Sequence, residues 1–340
     1  MPAISTSGET GADASAGTVV LGLLGNVAIT VAKLVAFVFS GSGAMFAESL
    51  HSAADSVNTM FLWIGVRLSC RPADLRHPYG YGAERYFWSF ASAIGVLFLG
   101  GGATIYHGIQ ELTRPEPIRI GALTWAALGA GALLDGGVFI VSIRQAARRR
   151  AERSWLDYVR QSTDSSLLAV LFENGVAMLG LLVAAFGIGL TVMRDAAVYD
   201  AVASIAIGIL MSASALVLAQ RNRLLLLGEA VRPDIERRIR QIVLSDPAVG
   251  RLLSIRTRIL AADEYRVDLQ VDLSPDAVVD RLRPEIRLAA DRIHSADDLE
   301  AFARTFARRV VDELAGEIDR LEKRIRKEVP GARVIDVEAD

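Results

Sequence analysis

Residues 45–68 read M-F-A-E-S-L-H-S-A-A-D-S-V-N-T-M-F-L-W-I-G-V-R-L. A helix needs about 20 residues to cross a bilayer, and this stretch is long enough. It nevertheless carries Glu48, His51, Asp55 and Asn58 within an apolar run. His51 and Asp55 stand four residues apart, so they share one helix face, and Glu48, three before His51, joins it. A carboxylate at mid-bilayer costs about 2.5–3.5 kcal/mol even on lenient insertion scales. Lipid offers nothing to offset that cost, so the face must look into a protein interior or a wet cavity. An imidazole and a carboxylate one turn apart suit a divalent metal such as zinc. The competing reading is that both only hydrogen-bond neighbouring helices.

Around this stretch the chain of 340 residues is 52% hydrophobic, with a mean hydropathy of +0.34. That is too apolar for an ordinary water-soluble protein of this size. The apolar residues concentrate before residue 221, and Arg, Asp and Glu dominate after it. A net charge of -2 and no strongly basic surface argue against nucleic acid as a partner. Cys70 is the only cysteine, so no internal disulfide or multi-cysteine metal site can form.

Taken in order, residues 1–16 are small and polar and read as a disordered tail. Six apolar spans follow within residues 17–221: about 17–39, 44–68, 85–109, 120–143, 166–192 and 196–219. The first holds Lys33, long enough to snorkel or to pair internally. The third carries Ala91, Gly95 and Gly100-Gly101-Gly102, a pattern that permits close helix contact. Asp135 is buried in the fourth, Glu173 and Asn174 lie in the fifth, and Asp200 and Ser204 open the sixth. Arginines fall in the loops after spans two and four and after span six, at Arg67, Arg71, Arg76, Arg85, Arg144, Arg148, Arg149, Arg150, Arg153, Arg221 and Arg223. The opposite loops hold only Arg114, Arg119 and Arg194. The bias predicts that both termini face the cytoplasm or its topological equivalent, with the protein in the cell membrane, plasma or inner. At about 1.5 Å per residue, Asp55 and Asn174 both reach mid-membrane. The polar groups of spans two and five can therefore meet.

Residues 222–340 form a small α+β domain. Tyr265, Val267, Leu269, Val271 and Leu273 alternate with polar residues, as in a half-buried strand. Leu252–Leu260 and Arg333–Glu338 complete three strands, and residues 284–328 form an extended, highly charged helical insertion. Asp268, Asp272 and the acids near the end read as solvated surface charge rather than ligands.

These residues carry a resemblance. A-E-S-L-H-S-A-A-D on span two, R-H-P-Y-G-Y-G-A-E-R after it, Y-D-A-V-A-S-I-A-I-G on span six and G-E-A-V-R-P beyond it resemble the cation diffusion facilitators. These are proton-coupled exporters of zinc and related divalent metals. H-P-Y-G, Y-H-G and the helical stretch ending in I-D-V-E are similar to the mitochondrial zinc exporter branch. The resemblance implies a homodimer, alternating access, a metallochaperone-like soluble domain and a tetrahedral metal site shared by spans two and five. His51 and Asp55 match the span-two half of that site. Span five departs: Glu173-Asn174 stand where the branch has a Glu-Asp pair, and Val170 stands where others place a ligand. The expected function is efflux of a divalent cation, zinc first, against protons, with no cofactor and no enzymatic activity. The alternative is a membrane scaffold or metal sensor on the same fold. A membrane metallohydrolase lacks a clustered motif with an open coordination position.

Overall fold

The computed structural model describes residues 9–114, 118–150, 154–156, 158, 165–261, 263–290 and 293–339. Side chains in residues 9–24 and 165–170, and those of Arg149 and Phe172, lie outside that description. The chain divides into two compact units, one ending at Leu227 and the other comprising Gly228–Asp340.

The first unit is helical. Its elements are α1 (Glu9–Ser40), α2 (Gly43–Ser69), α3 (Glu84–Thr113), α4 (Ala122–Arg150), α5 (Ser165–Arg194) and α6 (Val198–Leu227). Among the described residues, four segments are long and apolar enough to cross a membrane: Glu84–Thr113, Ala122–Arg148, Glu173–Arg194 and Val198–Leu227. Gly25–Ser40 is a shorter apolar helix. Helix α2 does not meet the same criterion, because Glu48, His51, Asp55 and Asn58 dilute its apolar residues.

One expectation fails at the start of the chain. Residues 9–16, read as disordered, continue α1 from Glu9. Ala12, Ala14 and Ala16 favour propagation once the apolar segment has nucleated the helix.

A two-residue turn joins α1 to α2. Gly41 takes φ 67°, in the left-handed region that glycine enters without a Cβ clash. Ser42 then caps α2, its hydroxyl accepting from the Met45 N–H at 3.2 Å. Gly100, Gly101 and Gly108 of α3 pack within this chain, against α6. A Cβ on Gly101 would sit 2.9 Å from the Gly208 carbonyl oxygen, and one on Gly208 would sit 3.0 Å from that of Gly101. Around this contact α3 widens into a π-helical segment, Val96–Gly102. Gly95, by contrast, has nothing within 4 Å. The core of the unit joins Met45 and Ala47 of α2 to Leu181 and Ile188 of α5 and Ile207 and Met211 of α6.

The second unit runs α7 (Pro233–Leu244), β1 (Val249–Ala261), β2 (Glu264–Leu273), α8 (Pro275–Ala290), α9 (Ala296–Glu328) and β3 (Ala332–Ala339). The sheet order is β1-β2-β3, with β1 antiparallel and β3 parallel to the central β2. Tyr265, Val267, Leu269, Val271 and Leu273 are buried, as their alternation demands. Ile239, Ile242 and Val243 of α7 and Leu321 and Ile325 of α9 cover them. The helical insertion expected over 284–328 is two helices. Ser295 ends the interruption by capping α9, accepting from the Asp298 N–H at 3.1 Å.

Candidate metal site

The site starts with the face of α2. His51 is 4% exposed, and neither ring nitrogen has a hydrogen-bond partner. Buried polar atoms are seldom left without partners. Its Nε2 lies 3.6 Å from Asp55 Oδ2, past hydrogen-bonding distance. The Asp55 side chain keeps one quarter of its surface exposed. An imidazole held beside a carboxylate with both nitrogens unused has the donor set a borderline divalent cation takes.

From α5, Glu173 lies near enough to Asp55 and Asn58 to interact electrostatically with both. The approach to Asn58 falls short of a hydrogen bond, since the buried Asn58 Nδ2 has no partner. The Asn58 carbonyl oxygen accepts from the Ser92 hydroxyl, which ties α2 to α3. Asn174, next along α5, is half-buried like Glu173. The side chain of Val170 lies outside the described residues. The structure therefore brings His51, Asp55 and Glu173 to one region, although no group of three His, Cys, Asp or Glu side chains is close-set enough to hold an ion among the described residues.

Glu48 lies on the α2 face of His51 yet turns elsewhere. Its Oε2 accepts from Lys33 Nζ of α1 at 2.9 Å, and the same nitrogen reaches Asp135 Oδ2 of α4 at 3.4 Å. Of the two roles open to Lys33, internal pairing is the one it has. Asp135 remains partly exposed, at 18% of its side chain. The intramembrane position of Lys33 is the signal by which this ion network is readable from sequence.

At the α2 N-terminus, Asp200 of α6 accepts from the Ser42 hydroxyl at 2.7 Å and the Ala44 N–H at 3.2 Å. A carboxylate there complements the exposed amides and the positive end of the helix dipole. His107, part of the Y-H-G motif, packs on the Phe46 ring at 4.2 Å and the Phe37 ring at 5.9 Å between centroids. His77 stacks on Tyr81, whose hydroxyl donates to Asp74 at 2.7 Å. That bond, with the backbone amides of His77 and Arg76, holds the Asp74 carboxyl group below the usual carboxylate range. These histidines shape the surrounding structure and do not join the His51 group.

Comparison with known proteins identifies the family. Residues 19–227 match the cation efflux transmembrane domain. The chain is 36% identical over 320 residues, 90% of its length, to "Proton-coupled zinc antiporter SLC30A9, mitochondrial" of Xenopus laevis, covering 56% of that protein. The human protein of the same name is 31% identical over 319 residues, 90% of this chain and 55% of the relative. "Metal tolerance protein C4" of Arabidopsis thaliana is 32% identical over 310 residues, 88% of this chain and 68% of the relative. The chain thus spans about half the length of the antiporters it matches. The cell-membrane location expected from loop charge is overturned, because the Xenopus, mouse and human relatives are named as mitochondrial. Arginine bias fixes which loops share a side; it does not identify the membrane. The match across the helical unit and the identity across 90% of the chain show that it belongs to the cation diffusion facilitator family of metal transporters, in the branch of the mitochondrial zinc antiporters.

Proposed function

We propose that the chain exports a divalent cation, zinc first, in exchange for protons, by alternating access at a site between α2 and α5. The observation that carries this reading is the buried His51 imidazole with two unused nitrogens, beside Asp55 and opposite Glu173. His51 and Asp55 are the α2 ligands, and Glu173 is the α5 carboxylate. Asn174 contributes a weaker amide oxygen. Asp55 and Glu173 together neutralise a divalent ion, which an amide cannot do. A ligand must be deprotonated to bind metal, so protons and the ion compete for the same atoms. Protons arriving from the acidic side displace the metal there, and their loss on the other side restores the site.

Six membrane crossings support this cycle, with α1 and α2 added to the four apolar segments. The polar face of α2 is tolerable in a membrane because it turns inward. The names of the relatives favour a mitochondrial membrane. The family resemblance adds a homodimer, for which light scattering should give twice the chain mass of 36.6 kDa. The working partners are thus the cation, protons, lipid and a second copy. No enzymatic step or resident cofactor is part of the cycle.

The test is zinc flux in reconstituted vesicles with an imposed pH gradient, with cobalt and manganese as competing cations. Flux should follow the proton gradient and fall in Asp55→Ala and Glu173→Gln proteins that remain folded. A parent protein that binds zinc without moving it would favour the scaffold or sensor reading. Higher flux in Asn174→Asp than in the parent would make Asn174 the principal α5 ligand position.

A further inference from the structure

Lys33 is fully buried in α1 and held by two carboxylates from different helices, Glu48 of α2 and Asp135 of α4. The fit around them is close. A Cβ on Gly131 of α4 would lie 3.2 Å from Lys33 Cε, and one on Gly180 of α5 would lie 2.9 Å from Glu48 Oε1. That second oxygen of Glu48 is buried and has no hydrogen-bond partner. The network thus joins α1, α2 and α4 and rests on α5, the helix that faces α2 across the candidate metal site.

The same ammonium stands about one helical turn from that site, because its partner Glu48 precedes His51 by three residues on α2. Glu48, His51 and Asp55 share one face of α2, with His51 3.6 Å from Asp55, and Lys33 of α1 meets that face at Glu48, 2.9 Å away, while Asp135 of α4 lies 3.4 Å from Lys33. Lys33 is therefore a positive charge inside the field of the His51–Asp55 pair. In a medium of low dielectric, a fixed positive charge raises the free energy of bringing in a divalent cation, even without touching it. A transporter needs that opposition, since a site must hold its ion weakly enough to release it.

We propose that Lys33 is a tethered positioning charge that sets how strongly the His51–Asp55 site holds a divalent cation. Glu48 and Asp135 anchor it and keep it from moving onto Asp55 itself. This rests on the reading of His51 and Asp55 as the binding site. It makes the two ends of one ion pair act with opposite sign. Removing the Lys33 charge strengthens cation binding. Removing the Glu48 charge frees Lys33 to approach Asp55 and weakens binding. A pair that only ties the helices together would give the same sign at both ends.

The test is calorimetric titration of zinc chloride into the purified full-length chain in detergent. Lys33→Met should bind on the order of tenfold more tightly than the parent. Glu48→Gln should bind on the order of tenfold more weakly. Lys33→Arg keeps the charge and should stay within about threefold of the parent. It also serves, with Glu48→Gln, if Lys33→Met does not fold. Weaker or unchanged binding in Lys33→Met, or tighter binding in Lys33→Arg or Glu48→Gln, overturns the proposal. His51→Ala separates the two layers of the argument. If it abolishes zinc binding while the Lys33 and Glu48 variants shift in one direction, only the tethered charge fails. If it binds zinc like the parent, the site itself lies elsewhere and both readings fall.

Discussion

Two buried sites, one in each unit, treat their polar atoms in opposite ways. In the α+β unit, Asp246 has a side chain only 3% exposed and is fully engaged: Oδ1 accepts from the Ala248 N–H at 3.1 Å and from Arg320 at 2.8 Å, and Arg324 lies 3.4 Å from Oδ2. In the helical unit, His51, Asn58 and Glu48 are all buried, and each leaves at least one polar atom without a partner. Satisfied buried charge fixes a shape, whereas unsatisfied buried donors and acceptors keep capacity for a ligand. The Asp246 network thus fits a structural role, and the His51 face fits the ligand exchange proposed for it.

Substitutions should separate these roles. The largest effect belongs to Asp55→Ala, with an expected loss of zinc flux of about a hundredfold or more, because it deletes a carboxylate of the proposed site. Helix content by amide I infrared absorption or far-ultraviolet circular dichroism should meanwhile be unchanged. Next comes Asp246→Ala. Removing one partner of a buried ion pair is strongly destabilising, but Arg320 and Arg324 can still reach water, so about 2–3 kcal/mol is expected. Urea unfolding of residues 228–340 should register it, and zinc flux by intact protein that remains folded should not. Equal loss of flux in both variants would erase the distinction.

Smaller effects sharpen the same contrast. Residues 228–340 have an apolar core, no cysteine and a single histidine, His294. Their melting temperature should be the same with and without a chelator; a clear drop would show a structural metal. The smallest expected effect is at the α9 cap. The Ser295 hydroxyl and then the His294 N–H hold the Asp298 carboxyl group below the usual carboxylate range. A carboxylate with a depressed folded pKa stabilises above its unfolded value and loses that contribution as pH falls through the folded one. The unit should therefore weaken below about pH 4, and Asp298→Asn should flatten part of that slope. An unchanged slope would remove Asp298 from the account.

What the sequence revealed follows the strength of each physical signal. The period-two alternation of Tyr265 to Leu273 marks β2, since each inward residue is buried in the sheet core. That His51 and Asp55 lie together on one face of α2 is readable because polar residues in an apolar helix are costly and four-residue spacing aligns them. Glu48 shares that face, but face membership does not tell where a long side chain ends, and Lys33 on another helix decides it. The π-helical turn at Val96–Gly102 is not readable from local sequence; it lies where Gly101 closely approaches Gly208, a residue far away in the chain. The glycines were visible, but not that α6 would be their partner. The break between α8 and α9 escaped because the charged residues on both sides share helical spacing.

The central claim is that one divalent ion sits among His51, Asp55 and Glu173. X-ray absorption at the zinc edge, on purified protein loaded with one equivalent of zinc, addresses it directly. The account predicts a low-coordinate nitrogen and oxygen shell at about 2.0–2.2 Å with the scattering pattern of a single imidazole. That pattern should vanish in His51→Ala. An imidazole pattern that persists in His51→Ala, or a fully hydrated ion in the parent, would contradict the claim.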